Sequence, residues 1–239
     1  MPRFFCEVFD EHPIIKGEDA RHISLVLRAK TGDKITLCDG HGCDYTCQIT
    51  AISKKTVECG VIEKIKNDTE PNLSVTMFCG LPKGEKADYI IEKCTELGAV
   101  SIVFFNMIRC VAKIDKNSVE KKLLRYNQKA KSAAMQSGRG MIPKVDYIAD
   151  FETAIALMQE HDSSLILYEG ECQYSIKQAV NSAKSLKTLA IMSGCEGGFD
   201  ESEIIFAKKA GIKTASMGKR ILRCESAPVC ALAYALFEL

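Results

Sequence analysis

The sequence predicts an α/β protein in two parts: a small strand-rich barrel, then a larger domain built on a parallel sheet. Three observations predict it. Residues 43–61 alternate apolar and polar side chains with the two-residue period of half-buried strands. From Ser74 onward, short apolar runs alternate with helical patterns, the mark of a parallel α/β sheet. Near the carboxyl end, two glycine-containing loops each follow an apolar run, the place where open α/β sheets bind ligands.

In the first part, Cys43, Tyr45, Cys47, Ile49 and Ala51 share one strand face. Val57, Cys59 and Val61 repeat the pattern after a Ser53-Lys54-Lys55 turn. Asp39-Gly40-His41-Gly42 is read as the hairpin loop joining a strand at 35–38 to the next. One helix, 20–29, interrupts the strands, with Ile23, Val26 and Leu27 expected to face inward. Residues 66–72 are polar, contain Pro71 and lack periodicity, which makes them the linker and sets domains at 1–70 and 71–239.

In the second part a strand at 74–79 leads through residues 80–85 into a helix expected to bury Ile90, Ile91, Cys94 and Leu97, with Gly98 as its stop. A strand at 100–105 and a long basic helix at 119–137 follow. Asp150 caps a helix running to Gln159, residues 165–168 make a strand, and 175–183 a shorter helix. Strands at 188–192 and 212–217 flank a helix at 201–210, which carries Ile204, Ile205, Ala207 and Ala210 on one side and stops at Gly211. The last helix opens with Ser226 as cap and Pro228 just inside. Its run at 229–237 is apolar nearly all round and is read as buried on several sides.

Composition narrows the class. With 46% hydrophobic residues in 239, the chain has enough apolar surface to fill real cores. No apolar run reaches the ~20 residues that span a bilayer. The start meets Glu7 after a short apolar stretch and has no small-residue cleavage site, so no signal peptide and a cytoplasmic location are expected. Twelve cysteines are scattered without a Cys-x-x-Cys pair, and the four histidines lie at no zinc-finger spacing. Reduced, mostly buried thiols and no metal are expected. The net charge of +1 hides an asymmetry: residues 109–144 hold ten Lys and Arg against Asp115 and Glu120, and the remainder is acidic. Such clustering fits phosphate binding or an ordinary solvated helix face.

The two loops are Ser193-Gly194-Cys195-Glu196-Gly197-Gly198-Phe199 and the stretch from Met217-Gly218 through Lys219-Arg220-Ile221-Leu222-Arg223-Cys224-Glu225-Ser226-Ala227. Neither is a Gly-x-Gly-x-x-Gly dinucleotide fingerprint nor a Gly-x-x-x-x-Gly-Lys phosphate loop, which argues against a nucleotide-dependent oxidoreductase. Their spacing indicates a cleft without naming its ligand.

Both loops resemble the signature of the SPOUT methyltransferases, most closely the ribosomal RNA small subunit methyltransferase E family. Gly194, Glu196, Gly197, Gly198 and Phe199 match the first loop of that family, and Gly218, Ile221, Leu222, Arg223, Glu225 and Ala227 match the second. Cys195 stands where the family has proline, Met217 where it has leucine, and Ser226 where it has threonine. The likeness extends to residues 3–5, 22–33, 83–98 and 136–143.

The resemblance implies a PUA-like RNA-binding barrel, a carboxyl-terminal α/β trefoil knot, a homodimer packed through the last helix, and transfer of a methyl group from S-adenosylmethionine to N3 of a uridine in 16S ribosomal RNA. It makes Ser193, Gly194, Glu196, Gly197, Gly198, Met217, Gly218, Ile221 and Leu222 cofactor-binding candidates, with Glu196 on a ribose hydroxyl or within its own loop. The uridine imide must lose a proton, so a base or a cation steadying the anion is needed. Arg223 is the candidate cation. Glu225 is the candidate base, the partner of the arginine, or a structural acceptor. Arg3, Arg28, Lys30, Lys83, Lys93, Gln136 and Arg139 are the RNA-contact candidates, with Lys93 alternatively the outer face of its helix. His22 is read as structural or RNA-facing. The competing reading is a non-catalytic RNA-binding or ribosome-assembly module.

Overall fold

The computed structural model describes residues 1–7, 10–182 and 186–238, and of Lys116 the backbone alone. The chain divides into two compact units, Met1–Glu70 with Ala134–Ile142, and Pro71–Ala133 with Pro143–Leu239. Residues 134–142 thus group with the first unit, although the sequence reading placed them in the second.

The first unit is a curled five-stranded sheet ordered β1-β3-β4-β5-β2. Its strands are β1 (Arg3–Phe5), β2 (Ile14–Lys16), β3 (Lys34–Cys38), β4 (Cys43–Ile52) and β5 (Thr56–Lys66). β1 runs parallel to β3 and the remaining pairs are antiparallel. Among the described residues β1 and β2 share no ladder, so the barrel is a half-barrel with two free edges. Tyr45, Cys47, Ile49, Val57 and Cys59 turn inward as their alternation requires and pack with Phe4, Ile23, Ile35 and Leu37. Ala51 does not. The β4–β5 register shifts between Ile49 and Ala51, and the bulge turns Ala51 out to solvent.

The helix expected at 20–29 begins earlier, as α1 (Gly17–Arg21), and widens into a π-type turn at His22–Val26. Ile23 is fully buried, but Val26 is 69% exposed. Leu27 is exposed as well. The wider turn breaks the 3.6-residue period on which their inward placement rested. The 134–142 segment joins this unit through specific bonds. The Cys38 thiol lies 3.5 Å from the Gly140 carbonyl oxygen, and Glu70 Oε1 accepts from the Gly140 and Met141 amides at 2.8 and 3.2 Å.

The second unit is a six-stranded, all-parallel sheet ordered β11-β9-β10-β6-β7-β8. Its strands are β6 (Ser74–Gly80), β7 (Ser101–Phe105), β8 (Lys144–Ile148), β9 (Ser163–Leu167), β10 (Thr188–Ser193) and β11 (Lys213–Ala215). Central β6 and β10 are buried almost end to end, as parallel strands covered on both faces are. The edge strand β8 escaped the sequence reading because Lys144, Asp146 and Tyr147 dilute its apolar signal.

The helices are α2 (Lys86–Leu97), α3 (Val119–Ser137), α4 (Phe151–Met158), α5 (Ile176–Ser182), α6 (Glu201–Lys209) and α7 (Ser226–Glu238). Ala183, expected to end the fifth, lies outside the described residues. Two packing expectations need correction. In α6, Ile205 is 48% exposed while Glu203 is buried, because the Glu203 carboxylate closes a capping box on the Asp200 amide and also accepts from the Ile108 amide. In α7, Pro228, Ala231, Leu232 and Ala235 are buried against α2, β6 and β10, but Phe237 is 82% exposed. That helix is buried on one face, not all round.

No described helix is long and apolar enough to cross a membrane. None of the twelve cysteines is in a disulfide, and most are buried as small apolar side chains.

Candidate active site

The site grows from the point where strand order reverses. β7 and β8 extend the sheet on one side of β6, and β10 lies on the other, so the loops leaving β6 and β10 diverge above a crevice. Ser193 at the end of β10 stands opposite Cys79, next to Gly80 at the end of β6. A Cβ on Gly80 would come within 2.6 Å of both the Cys195 amide nitrogen and Met107 Sδ. Only a bare backbone fits there. Gly80→Ala is therefore expected to destabilise the chain by about 1–3 kcal/mol, as overpacking does, measured by urea unfolding. An unchanged midpoint would show that the loop shifts freely.

The first loop is braced from several sides. The Cys195 amide donates to Met107 Sδ at 3.3 Å, and the Gly198 amide to the Cys195 carbonyl at 3.0 Å. Phe199 is buried against Phe151, and Arg109 bonds both the Gly197 carbonyl and Asp200. The Cys110 thiol donates to the Leu81 carbonyl at 3.5 Å, and the neighbourhood of the two thiols lowers that of Cys195 and raises that of Cys110. Where the family proline would stiffen this loop by its ring, Cys195 is held by hydrogen bonds.

The second loop runs from the sheet edge at β11 back to α7 beside β6 and β10. No backbone–backbone hydrogen bond engages residues 217–222 among the described residues. Gly218 adopts φ +99 with open space around it, a left-handed conformation that favours glycine. Met217 and Leu222 are half-buried, whereas Ile221 is 84% exposed. The Arg223 side chain is exposed, and its carbonyl accepts from the Ser226 and Ala227 amides at the start of α7.

Two carboxylates link these loops to the one after β6. Glu196 Oε1 accepts from the Lys83 amide at 3.0 Å and from Lys86 Nζ at 2.9 Å. Burial alone raises the Glu196 carboxyl, but these bonds carry it below its ordinary value. Glu225 lies 3.6 Å from the same ammonium. It too sits below its ordinary value, because its own amide, the Cys224 thiol and the charges of Lys86 and Arg223 outweigh burial. The buried Cys224 thiol is pushed up to about 12 by desolvation and by its bond to Glu225. Lys86 went unnoticed in the sequence. The signal available was a second lysine three residues after Lys83, within reach of loops that carry two acids.

The structure brings Gly194 to Gly198, residues 217–222, Arg223 and Glu225 to one end of the second unit. Ser193 is an exception in kind: its side chain is 1% exposed and turned into the sheet, so it offers a ligand its backbone only. Of the RNA candidates, Arg28, Lys30 and Gln136 in the first unit and Lys83 in the second are exposed. Arg139 is not a surface grip. Its side chain is 3% exposed and forks onto Glu70. Arg3 is committed to Asp44 at 2.7 Å and rests over the Phe5 ring. Lys93 pairs with Glu92 and Glu96 along its own helix. In α3, Arg125 and Lys129 pair with Asp88 and Glu92, which shrinks the free positive charge that the count over 109–144 suggested. His22 is exposed and stands edge-on to Phe4.

A parallel sheet whose switch point carries these two loops defines the class. Residues 69–236 match the RNA methyltransferase domain, and residues 15–62 match the RNA methyltransferase PUA domain. The chain is 36% identical over 243 residues to ribosomal RNA small subunit methyltransferase E of Bacillus subtilis, covering 97% of this chain and 94% of that one. The crystal structure of a ribosomal RNA small subunit methyltransferase E from Neisseria gonorrhoeae bound to S-adenosyl methionine superposes with a TM-score of 0.87 at 30% identity, covering 98% and 96% of the two chains. A Legionella pneumophila methyltransferase in complex with the bound cofactor SAM gives a TM-score of 0.90 at 25% identity, covering 99% and 97%. The chain belongs to the ribosomal RNA small subunit methyltransferase E family. Its fold is the SPOUT α/β fold with an amino-terminal PUA-like half-barrel.

Proposed function

We propose that the chain transfers the methyl group of S-adenosylmethionine to N3 of a uridine in 16S ribosomal RNA. The carrying observation is the meeting of the two family loops at the switch point, one braced and one without backbone–backbone hydrogen bonds over 217–222 among the described residues. When bound, the cofactor supplies an electrophilic methyl on a cationic sulfonium. The loops suit it: the backbone at 217–222 makes no backbone–backbone bond among the described residues, only the Gly218 amide donating to Ser216 Oγ at 3.1 Å, which leaves N–H and C=O groups for a purine edge, and Met217 and Leu222 give apolar walls. Ile221, 84% exposed, faces solvent more than a wall would.

Methyl transfer is an in-line displacement, so holding the uridine nitrogen opposite the methyl supplies most of the rate. Arg223, exposed beside the loop, is the group to steady the imide anion. Glu225 is a weak base for this task. An effective base titrates near the working pH, whereas Glu225 is held below its ordinary value. Its contact with Lys86 favours the structural role over that of base. Arg28, Lys30, Gln136 and Lys83 remain the RNA contacts this reading keeps. A target base stacked in RNA must swing out to reach the methyl.

A second copy packing on α7, where Phe237 is 82% exposed, would give the homodimer implied by the family. A ribosomal RNA substrate is consistent with a cytoplasmic location. The non-catalytic reading is not supported, because the matched relatives are methyltransferases over nearly the whole chain. The test is mass spectrometry of nucleosides from 16S ribosomal RNA of a strain lacking the chain. N3-methyluridine is expected to vanish and to return with the wild-type chain. Its persistence in the deletion strain would refute the assignment.

A further inference from the structure

Resting on the reading just given, we infer that Lys86 is a positioning residue that ties the two cofactor loops into one unit. Its ammonium stands 2.9 Å from Glu196 in the loop after β10 and 3.6 Å from Glu225 in the loop before α7. It also lies 3.9 Å from Cys224 Sγ. These three groups come from two segments separated by α6 and β11, and Lys86 itself from a third, the start of α2.

The physical need is clear from charge. Two carboxylates that touch one ammonium lie close enough to repel each other. Without a cation between them, each loop would gain by swinging away, and the space that must accept an adenosyl group would widen. With Lys86 in place, the first loop also keeps its bond from the Lys83 amide, so both loops are referred to one helix start. The side chains are only partly exposed, 35% for Lys86, 31% for Glu196 and 17% for Glu225, so solvent screens this network less than a free surface pair. Glycines give the loops their close approach; Lys86 gives them a common anchor. Arg223, two residues before Glu225, is aimed by the same anchor.

The experiment uses the full chain as Lys86→Met and Lys86→Arg, with three readouts. Amide hydrogen exchange of the unliganded chain is expected to accelerate in both 194–199 and 217–225 in Lys86→Met. Calorimetric affinity for S-adenosylmethionine is expected to fall roughly tenfold, about what the loss of one partly screened charge network gives. KM for the cofactor should rise in step, with kcat falling less. Lys86→Arg should restore most of the protection and affinity. A melting curve checks that Lys86→Met folds; should it not, Lys86→Gln carries the same exchange test with an uncharged polar side chain. Unchanged exchange and affinity in Lys86→Met overturn the inference, and acceleration confined to 194–199 does so too, reducing Lys86 to a local partner of Glu196. A wild-type chain that binds no S-adenosylmethionine instead overturns the proposed function, while the exchange result on the unliganded chain still decides the role of Lys86.

Discussion

Arg223→Ala is expected to lower the rate of methyl transfer by about 10²–10³-fold while the chain keeps its fold, the size of effect seen when one donor aimed at a developing anion is removed. The reason begins with exposure. The Arg223 side chain is exposed, and what the fold uses at this position is the carbonyl that accepts from the Ser226 and Ala227 amides. Truncation at Cβ leaves those bonds intact, so stability should move by no more than about 0.5 kcal/mol, as at other exposed sites. The chemistry has no such substitute. A uridine imide that loses its proton places charge on its two carbonyl oxygens, and Arg223 is a cation within the matched loop motif whose side chain is exposed. Single-turnover methylation of small-subunit ribosomal RNA measures the rate, and a melting curve measures the fold. Since the loss is in the chemical step, kcat should fall with little change in the KM for the cofactor. A variant methylating at the wild-type rate removes Arg223 from the catalytic machinery.

The second large effect is on stability. Arg139→Ala is expected to destabilise the first unit by about 3 kcal/mol, the low end for breaking a buried ion pair by deleting one partner. The low end applies because Glu70 is 27% exposed and keeps water on one side, whereas Arg139 is 3% exposed. Removal strands a carboxylate that otherwise receives the guanidinium together with the Gly140 and Met141 amides. Those bonds fasten 134–142 to the end of β5 and its following residues. Urea unfolding followed by amide exchange in unit one reads the loss, and exchange should rise first at 138–142. An RNA-gripping arginine would behave in the opposite way: stability unchanged, RNA affinity reduced, and a shallower dependence on salt. That outcome would return Arg139 to the RNA surface.

The contrast between these two arginines shows how far a sequence carries. Both sit in stretches that resemble the family, and nothing local distinguishes them. Periodicity found β4 and β5, the strands leading to both loops, α3, α6 and the capped start of α4, because those signals are written into neighbouring residues. It failed where a neighbour was not enough. The bulge at Ile49/Ala51 turned one side chain out, the wide turn at His22–Val26 turned out two more, and the edge position of β8 left its pattern mixed. Phe237 was equally silent about which face of its helix would be covered.

By itself the sequence determined the class of sheet and the two glycine loops, since turn geometry and apolar period are properties of consecutive residues. Only the tertiary structure decided the pairing of charges: Lys86 with Glu196 and Glu225, Arg139 with Glu70, Arg3 with Asp44. An ion pair depends on distance in space, and partners 41 to 139 residues apart along the chain are joined by strand order, which no local pattern encodes.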